Sequence, residues 1–282
     1  MATMKAHTRL VHTLVYWLRL SRLLVWLKRF HPFFGKFIPL PSFFPSPTYY
    51  TVRRNGAVFR LDVSDFMQWH IFADLEDDSW QQAALHLQSN ALVVDVGANV
   101  GAFSLKLAQQ IVQNQTITAC RIIAFEPNPT IFERLATNLQ LNSAALQAVV
   151  QLEQLALGHQ ASEMAFVFSP TNSGGGRLSN QGEVKVKTER FDDYWQRIGK
   201  PMVCFMKIVV EGFEPFVIDG ATECLAICRP VLYIEMTEQW FQSQGRSSAE
   251  ILTLLDRLSY EYTLPSPVPA QYNLLAIPRK GQ

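Results

Sequence analysis

Acidic residues are missing from the first 61 positions of this 282-residue chain. No Asp or Glu precedes Asp62, whereas ten of the 25 Lys and Arg residues do, so the remainder holds 15 basic against 24 acidic residues. The formal net charge of +1 therefore conceals a basic N-terminal part and an acidic body. This asymmetry indicates two segments with different partners.

Charged residues and cysteines are also few. With 17% charged and 48% hydrophobic residues the chain is not of the disordered class, and its length suits one main domain with an extension. The four cysteines (Cys120, Cys204, Cys224 and Cys228) lie in or beside apolar runs, which is typical of small buried side chains in a reducing compartment. No His and no second cysteine pair completes a metal site around Cys224 and Cys228, so we expect no metal. The reducing compartment indicates a cytoplasmic location.

A long uninterrupted apolar run is absent from the N-terminal part. Arg19 and Arg22 interrupt the apolar residues 10–30, which disfavours a spanning helix, and no small-residue cleavage site follows to suggest a signal peptide. His12, Arg19, Arg22 and Arg29 are spaced seven, three and seven apart, which predicts one basic stripe on a helix. Two explanations stay open: a peripheral contact of residues 10–30 with a membrane surface, or packing against the domain itself or a dimer partner. Phe and Leu between the charges favour lipid over nucleic acid.

Proline is concentrated in residues 32–47, together with five phenylalanines. This density predicts an extended connector that lies along a surface groove. We therefore divide the chain into an extension, residues 1–47, and a domain, residues 48–282. The domain opens with two β-rich runs around Asn55-Gly56, a strong hairpin signal.

The dinucleotide motif G-x-G-x-x-G is absent, and a different glycine turn takes its place. Residues 92–107 read LVVDVGANVGAFSLKL, which predicts a buried strand, a glycine turn and a helix start. Such a junction seats a nucleotide-like cofactor, because the glycines admit close approach and the helix N-terminus offers N–H groups. The spacing D-x-G-x-x-x-G at Asp95, Gly97 and Gly101 suits a cofactor without pyrophosphate, such as S-adenosylmethionine, and disfavours an NAD-dependent oxidoreductase.

Glu126 ends the next predicted strand, Arg121–Phe125. Neighbouring strand ends lie side by side in a doubly wound sheet, so Glu126 is expected to face the same crevice as Gly97 and to accept hydrogen bonds from ribose hydroxyls. Asp95 has two open interpretations: a bond to the methionine part of the cofactor, or capping of the turn. Strands and helices alternate through the rest of the chain, which predicts an α/β fold with a mostly parallel sheet and helices on both faces.

A third group of polar residues ends the predicted strand Val203–Val210. Lys207 interrupts this apolar run, and Glu211-Gly212 follows it. Charged residues at this end of a parallel strand lie where substrates bind. A structural ion pair of Lys207 with a neighbouring Glu and a role in positioning or deprotonating a hydroxyl both fit, so Lys207 and Glu211 are our candidate catalytic residues.

Five sequence segments resemble those of the FkbM-type methyltransferases and occur in the same order. The resemblance extends from about Thr51 to Pro278. The segments are VVDVGANVGAFSL, IIAFEPNP, residues 188–193, MKIVVEGFEPFVIDGA and YNLLAIP. The resemblance implies a Rossmann-like seven-stranded sheet, S-adenosylmethionine as cofactor, and O-methylation of a hydroxyl, often on a sugar or natural product. It also implies that Asp95, Gly97, Asn99 and Gly101 form the cofactor loop, that Glu126 binds ribose, and that Lys207, Glu211 and Gly212 belong to the family's K-I-D-V-E-G segment.

One position departs from the family pattern: Val209 stands where the family normally has Asp. Valine neither accepts a proton nor orients a hydroxyl. Three explanations stay open: another acid (Glu211, Glu235 or Asp74) serves, alignment alone suffices, or the protein is weakly active or inactive. The last of these defines an alternative function, a membrane-associated scaffold that binds the cofactor.

Overall fold

The computed structural model describes residues 6–17, 19–28, 30–75, 78–167, 169, 171–179 and 184–279. The expectation for Arg29 lies outside these residues. The chain forms two compact units: Met1–Asp77 with Ser169–Gly174, and Asp78–Phe168 with Gly175–Gln282. The boundary at residue 47, which rests on composition, stays a prediction.

The first unit is built from short helices and one hairpin. Its helices and strands are α1 (Ala6–Trp17), α2 (Ser21–Lys28), β1 (Tyr49–Arg54), β2 (Ala57–Asp62) and α3 (Phe66–Ala73). The β1–β2 hairpin confirms the Asn55-Gly56 signal: the strands pair antiparallel from Tyr49 with Asp62 to Arg54 with Ala57, and both turn residues have positive φ.

The single basic stripe predicted for residues 10–30 is wrong, because the chain bends by 107° between α1 and α2. Arg19 adopts a left-handed conformation (φ +54°), and the N–H groups of Arg19 and Leu20 donate to the carbonyls of Tyr16 and Val15, which closes α1. His12 is buried, and its Nε2 lies 3.0 Å from the carbonyl oxygen of Lys36. His12 therefore belongs to the interior of this unit.

Within the described residues, no single helix has both the length and the apolarity to cross a membrane; only the bent pair Leu10–Tyr16 and Ser21–Lys28 meets those two criteria jointly.

The proline-rich segment is not the extended connector that its composition predicts. Pro32–Phe37 and Pro41–Phe43 form 3-10 helices, each with proline in its first turn. Proline suits this position because its fixed φ matches a helix start and its missing N–H has no partner to lose. The ring nitrogen Nδ1 of His31 accepts from the Phe33 N–H, which caps the first of these turns.

The second unit contains the long α/β alternation. Its helices are α4 (Ser79–Leu85), α5 (Ala102–Gln113), α6 (Pro129–Gln140), α7 (Ala144–Val149), α8 (Phe191–Arg197), α9 (Glu214–Asp219), α10 (Thr222–Cys228), α11 (Glu238–Ser243) and α12 (Ser248–Arg257). Its strands are β3 (Leu92–Val96), β4 (Arg121–Phe125), β5 (Val150–Glu153), β6 (Ala156–Leu157), β7 (Ser162–Val167), β8 (Arg177–Ser179), β9 (Val184–Glu189), β10 (Val203–Ile208), β11 (Val231–Thr237), β12 (Tyr260–Tyr262) and β13 (Gln271–Pro278).

A seven-stranded sheet has the order β12-β13-β11-β10-β3-β4-β5. The five strands from β11 to β5 are parallel, and β13 runs antiparallel to both of its neighbours. From β3 the chain proceeds through β4 to β5 and then returns to β10 on the other side of β3. The strand order therefore reverses between β3 and β10, and their C-terminal ends form the crevice where ligands of such folds bind.

Helices cover both faces of this sheet, as the alternation predicts. On one face Phe205 of β10 stacks on Phe103 of α5, with ring centroids 6.1 Å apart. On the other face Met206 joins a buried cluster that includes Trp195 of α8 and Leu225 of α10. The predicted Rossmann-like α/β class is confirmed.

The segment from residue 150 to 157 is divided between two sheets. Its first part is β5, whereas β6 joins a four-stranded sheet of order β6-β9-β7-β8. That sheet encloses a small apolar cluster of its own around Phe166 and Phe213. Residues 214–228 likewise form two helices, α9 and α10, with Gly220 between them.

Candidate functional site

The glycine turn between β3 and α5 is held by hydrogen bonds within the protein. The N–H groups of Gly97 and Ala98 both donate to the Phe125 carbonyl, and that of Gly101 donates to Ala98. The Asn99 N–H donates to Glu126, and the Val100 N–H donates to the side chain of Asn99. All five amides from Gly97 to Gly101 thus have acceptors already. A turn with this bonding keeps no amide for a pyrophosphate, in agreement with the absence of the dinucleotide motif.

Both glycines of the turn are required by the protein's own packing. A Cβ on Gly97 (φ +81°) would lie 2.0 Å from the carbonyl oxygen of Val209. A Cβ on Gly101 (φ +93°) would lie 2.7 Å from the Leu135 side chain. The glycine turn and the loop after β10 therefore touch backbone to backbone, at the strand-order reversal. Position 209 contributes its main chain to this contact.

Asp95 and Lys207 form a buried ion pair across β3 and β10. The parallel register places them side by side, and the Lys207 Nζ lies 3.0 Å from the Asp95 Oδ1. The same ammonium donates to the Gly97 carbonyl at 3.1 Å, and the Ser104 hydroxyl donates to the other Asp95 oxygen at 2.6 Å. Asp95 has no exposed surface. Lys207 thus pairs with Asp95, and this pair fixes the start of the glycine turn.

Glu126 joins the ends of β3 and β4. Its Oε2 accepts from the Asn99 N–H and its Oε1 from the Asn128 N–H, both at 2.9 Å. Burial, with a smaller effect from the charge of Asp95, raises the pKa of the Glu126 carboxyl to about 7, although both amide bonds and Lys207 act in the opposite direction. Each oxygen keeps a lone pair beyond these bonds.

The loop after β10, residues 209–213, is shaped by Glu214. This carboxyl is 1% exposed and accepts from the N–H groups of Val210 at 2.8 Å and Gly212 at 2.9 Å. Its pKa is raised to about 8, mainly by burial. Glu211 and Gly212 within the loop both have positive φ, +57° and +99°. A non-glycine residue held in this conformation is a strained position of the kind that functional loops contain.

Glu211 is half-buried among other acids. Burial, then the charges of Glu235 and Glu214, raise the pKa of its carboxyl to about 9, while Arg177 lowers it. Glu235 is also buried, and its Oε1 accepts from Gln271 at 2.7 Å. This side of the crevice is therefore rich in carboxyl groups, a setting that favours a bound cation.

The structure brings all seven sequence-predicted site residues to one edge of the sheet. Asp95, Gly97, Asn99, Gly101 and Glu126 form one side, and Lys207 and Glu211 belong to the strand and loop that abut it. Of the other candidate acids, Glu235 adjoins Glu211, whereas Asp74 lies in the first unit at the C-terminus of α3.

Sequence reasoning missed three residues that support the site: Ser104, Asn128 and Glu214. The sequence does contain a signal for Asn128: it directly precedes Pro129 and a helical run, which is a typical N-cap position. Ser104 and Glu214 act through partners that only the fold reveals. Among the described residues, no three His, Cys, Asp or Glu side chains are grouped as metal ligands.

Comparison with known proteins places this chain in a family. The family model described as the methyltransferase FkbM domain matches residues 95–262, more than half of the chain, so the chain belongs to the FkbM methyltransferase family. The matched range begins at Asp95 and includes the other six predicted site residues.

Individual relatives are more distant. Methyltransferase sdnD of Sordaria araneosa is 35% identical over an alignment of 171 residues that covers 49% of this chain and 63% of that protein. The hexuronic acid methyltransferase AglP of Haloferax volcanii is 30% identical over 132 residues, 46% of this chain and 50% of that one. A crystal structure of methyltransferase FkbM from Methylobacillus flagellatus KT is 19% identical, with a TM-score of 0.44, over 67% of this chain and 43% of that chain. The chain thus spans 63% and 50% of the lengths of the two curated relatives.

Proposed function

We propose that this protein transfers the methyl group of S-adenosylmethionine to a hydroxyl of a sugar or natural-product acceptor. The observation that carries the proposal is the pairing of two loops at the strand-order reversal. The glycine turn with Glu126 lies on one side, and the acid-rich loop after β10 lies on the other. Membership of the FkbM methyltransferase family supports the same reaction class.

The residues present fit S-adenosylmethionine in two respects. The remaining lone pairs of Glu126 suit the two hydroxyls of a ribose, and no turn amide is left for a pyrophosphate. The carboxyls around Glu211 favour a positively charged ligand. S-adenosylmethionine, when bound, supplies an electrophilic methyl group on a positive sulfur.

In this proposal Lys207 is a positioning residue and Glu211 is the proton acceptor. Lys207 holds Asp95 and the Gly97 carbonyl, and so fixes the turn against which the cofactor lies. A carboxyl with a pKa of about 9 is protonated at neutral pH, but a positive charge placed beside it lowers that pKa. In this proposal the Glu211 carboxylate would accept the proton of the acceptor hydroxyl, and S-adenosylmethionine would supply the methyl group. This assignment makes a carboxylate at position 209 unnecessary.

The acceptor class rests on a relative's name and on the resemblance of the motifs. The Haloferax volcanii relative is a hexuronic acid methyltransferase, so we propose a sugar hydroxyl first, with uronic acids among the acceptors to be tried.

A transfer assay tests the reaction. The full-length protein is incubated with methyl-labelled S-adenosylmethionine and a panel of hydroxylated sugars, uronic acids and natural products. Wild-type protein is expected to label at least one acceptor. Glu211→Gln is expected to lose most of the rate while it still binds the cofactor, and the exposed-site control Glu133→Gln is expected to retain the rate. Equal rates for wild type and Glu211→Gln would remove Glu211 as the proton acceptor.

Val209 motivates the second candidate, a cofactor-binding scaffold without transferase activity. Calorimetry distinguishes the two functions when it is combined with the transfer assay. Tight binding of S-adenosylmethionine without transfer to any acceptor favours the scaffold, and absence of binding contradicts both.

We also propose that the N-terminal part contacts a membrane surface from the cytoplasmic side. The ten basic residues before Asp62 and the exposed apolar side chains of α1 and α2 support the contact, and the four free thiols support a reducing compartment. Vesicle sedimentation of full-length protein, compared with a deletion of residues 1–47, tests it. Equal sedimentation of the two would contradict the contact.

A further inference from the structure

A cavity of about 570 Å³ lies in the first unit, at the bend between α1 and α2. Of the residues that the structure describes, five line it: Tyr16, Arg19, Arg22, Thr48 and Tyr50. Two guanidinium groups in one concave space attract an anion, and their planar forks suit the oxygens of a phosphate. We propose that this cavity binds the phosphate of an anionic lipid headgroup, an inference that rests on the proposed membrane contact.

The two arginines are held by different means. The Arg22 guanidinium stacks over the Tyr50 ring, with Cζ 5.0 Å from the ring centroid. Arg19 occupies the left-handed position that ends α1, where glycine is the usual residue. The chain thus carries a long cationic side chain at a backbone position that does not favour one. Neither arginine forms an ion pair in the part of the chain that the structure describes.

No acidic side chain is among the described residues that line this cavity. The Asp62 carboxylate contacts one of the lining residues: its Oδ1 accepts from the N–H groups of Thr48 and Ser64 and from the Ser64 hydroxyl. Asp62 is buried, and its Oδ1 already accepts hydrogen bonds from these three donors. The Thr48 hydroxyl donates to the Pro45 carbonyl. Thr48 therefore forms part of the cavity wall but does not offer its hydroxyl hydrogen to an anion.

Exposed apolar side chains on the same helices favour a lipid over a soluble phosphate. Leu10 of α1 is 70% exposed, and Leu14, Leu23 and Trp26 of α1 and α2 are also exposed. Phe30, directly beyond α2, is 70% exposed. A free phosphate gives these side chains no partner, whereas the acyl region beneath a headgroup does. Two cationic groups also match the two negative charges of a phosphomonoester headgroup better than the single charge of a diester.

Sedimentation with vesicles of two compositions tests the site in full-length protein. Phosphatidylcholine vesicles carry either phosphatidylserine or phosphatidic acid, at contents adjusted to equal surface potential. Wild-type protein is expected to partition about tenfold more strongly onto the phosphatidic acid vesicles. The double variant Arg19→Gly/Arg22→Gln is expected to lose that preference and to partition equally onto both. Arg19→Gly retains the fold, because glycine suits φ +54°.

A matched double variant separates the site from general charge attraction. Lys36→Gln/Arg53→Gln removes two cations of the same unit that do not line the cavity. It is expected to weaken binding to both vesicles by the same factor and to keep the preference for phosphatidic acid.

Three outcomes would overturn the proposal. Equal wild-type binding to both charge-matched vesicles leaves the membrane contact standing and removes the headgroup site. A phosphatidic acid preference that survives in Arg19→Gly/Arg22→Gln removes the cavity. Calorimetric binding of inorganic phosphate that depends on both arginines, without a vesicle preference, assigns the cavity to a soluble phosphate instead of a lipid. None of these outcomes changes the transfer assay, which depends on the second unit.

Discussion

Gly97 is the residue at which the two halves of the site meet. Its backbone contacts the Val209 carbonyl so closely that a Cβ would lie 2.0 Å from that oxygen. The glycine is therefore required before any cofactor is considered. A substitution here acts on the fold first and on ligand binding second.

Gly97→Ala is expected to destabilise the protein by about 2–4 kcal/mol, because the left-handed backbone and the clash with Val209 add to each other. Chemical denaturation measures this change. Gly199→Ala is the control, since Gly199 has a similar φ of +87° with nothing within 4 Å of the built Cβ. It is expected to cost only about 1 kcal/mol. Equal costs for the two variants would contradict the close contact at Val209.

Lys207 and Asp95 form the second residue-scale feature, an ion pair with almost no exposed surface. Lys207→Met leaves the Asp95 charge buried without its partner, and we expect a loss of about 3–5 kcal/mol in the free energy of unfolding. The double variant Asp95→Asn/Lys207→Met is expected to recover part of this loss, because it removes both charges. A double-mutant cycle by urea denaturation measures the coupling. Strictly additive effects would show that the two residues do not act as a pair.

Three acidic side chains lie at the ends of β4 and β10 and at the start of α9. The pKa values of Glu126, Glu214 and Glu211 are raised to about 7, 8 and 9, each mainly by burial. At a pH above the ordinary carboxyl pKa of about 4.5, these carboxyls stay protonated in the native state, whereas the same groups release their protons in the unfolded chain. The unfolded state then binds fewer protons, so the stability that these groups contribute falls as pH rises from about 4.5 towards 9.

Thermal unfolding between pH 5 and pH 9 measures this dependence. The Tm of wild-type protein is expected to fall across the range. Glu211→Gln is expected to flatten the fall, above all at the alkaline end, since it removes the carboxyl with the highest of the three pKa values. Glu133→Gln, at an exposed position on α6, is expected to leave the slope unchanged. Parallel curves for wild type and Glu211→Gln would contradict the raised pKa of Glu211.

The elements of the site were predictable from sequence because their signals are local. A short stretch of residues is enough to predict each of them: the apolar run from Leu92 to Val96 predicts a strand, the glycines that follow predict a turn, and Asn-Pro predicts the start of α6. The proline-rich segment was mispredicted for the opposite reason: proline permits both an extended chain and the first turn of a 3-10 helix. His31 caps the first 3-10 helix of this segment by accepting from the Phe33 N–H. An ion pair of Lys207 was anticipated with a neighbouring Glu, but its true partner, Asp95, lies 112 residues away and could not be found from local sequence.

The whole molecule consists of two compact units with different charge and different proposed partners. The basic first unit carries the exposed apolar side chains and the arginine-lined cavity. The second unit carries the seven-stranded sheet, and its strand order fixes where the cofactor loop and the acidic loop meet. The sheet follows from the alternation of elements, whereas the bend at Arg19 depends on backbone contacts that helical periodicity does not encode.

The central claim is that the crevice between Gly97, Glu126 and the loop after β10 binds S-adenosylmethionine. Calorimetric titration of the wild-type protein tests it most directly. Glu126→Ala should bind more weakly by about 1–3 kcal/mol, through lost hydrogen bonds to the ribose, and the exposed control Glu133→Ala should bind as wild type. An analogue that lacks the 2′ and 3′ hydroxyls should lose no further affinity in Glu126→Ala. We predict saturable one-to-one binding with this pattern; no binding by wild type, or unchanged affinity in Glu126→Ala, would contradict the account.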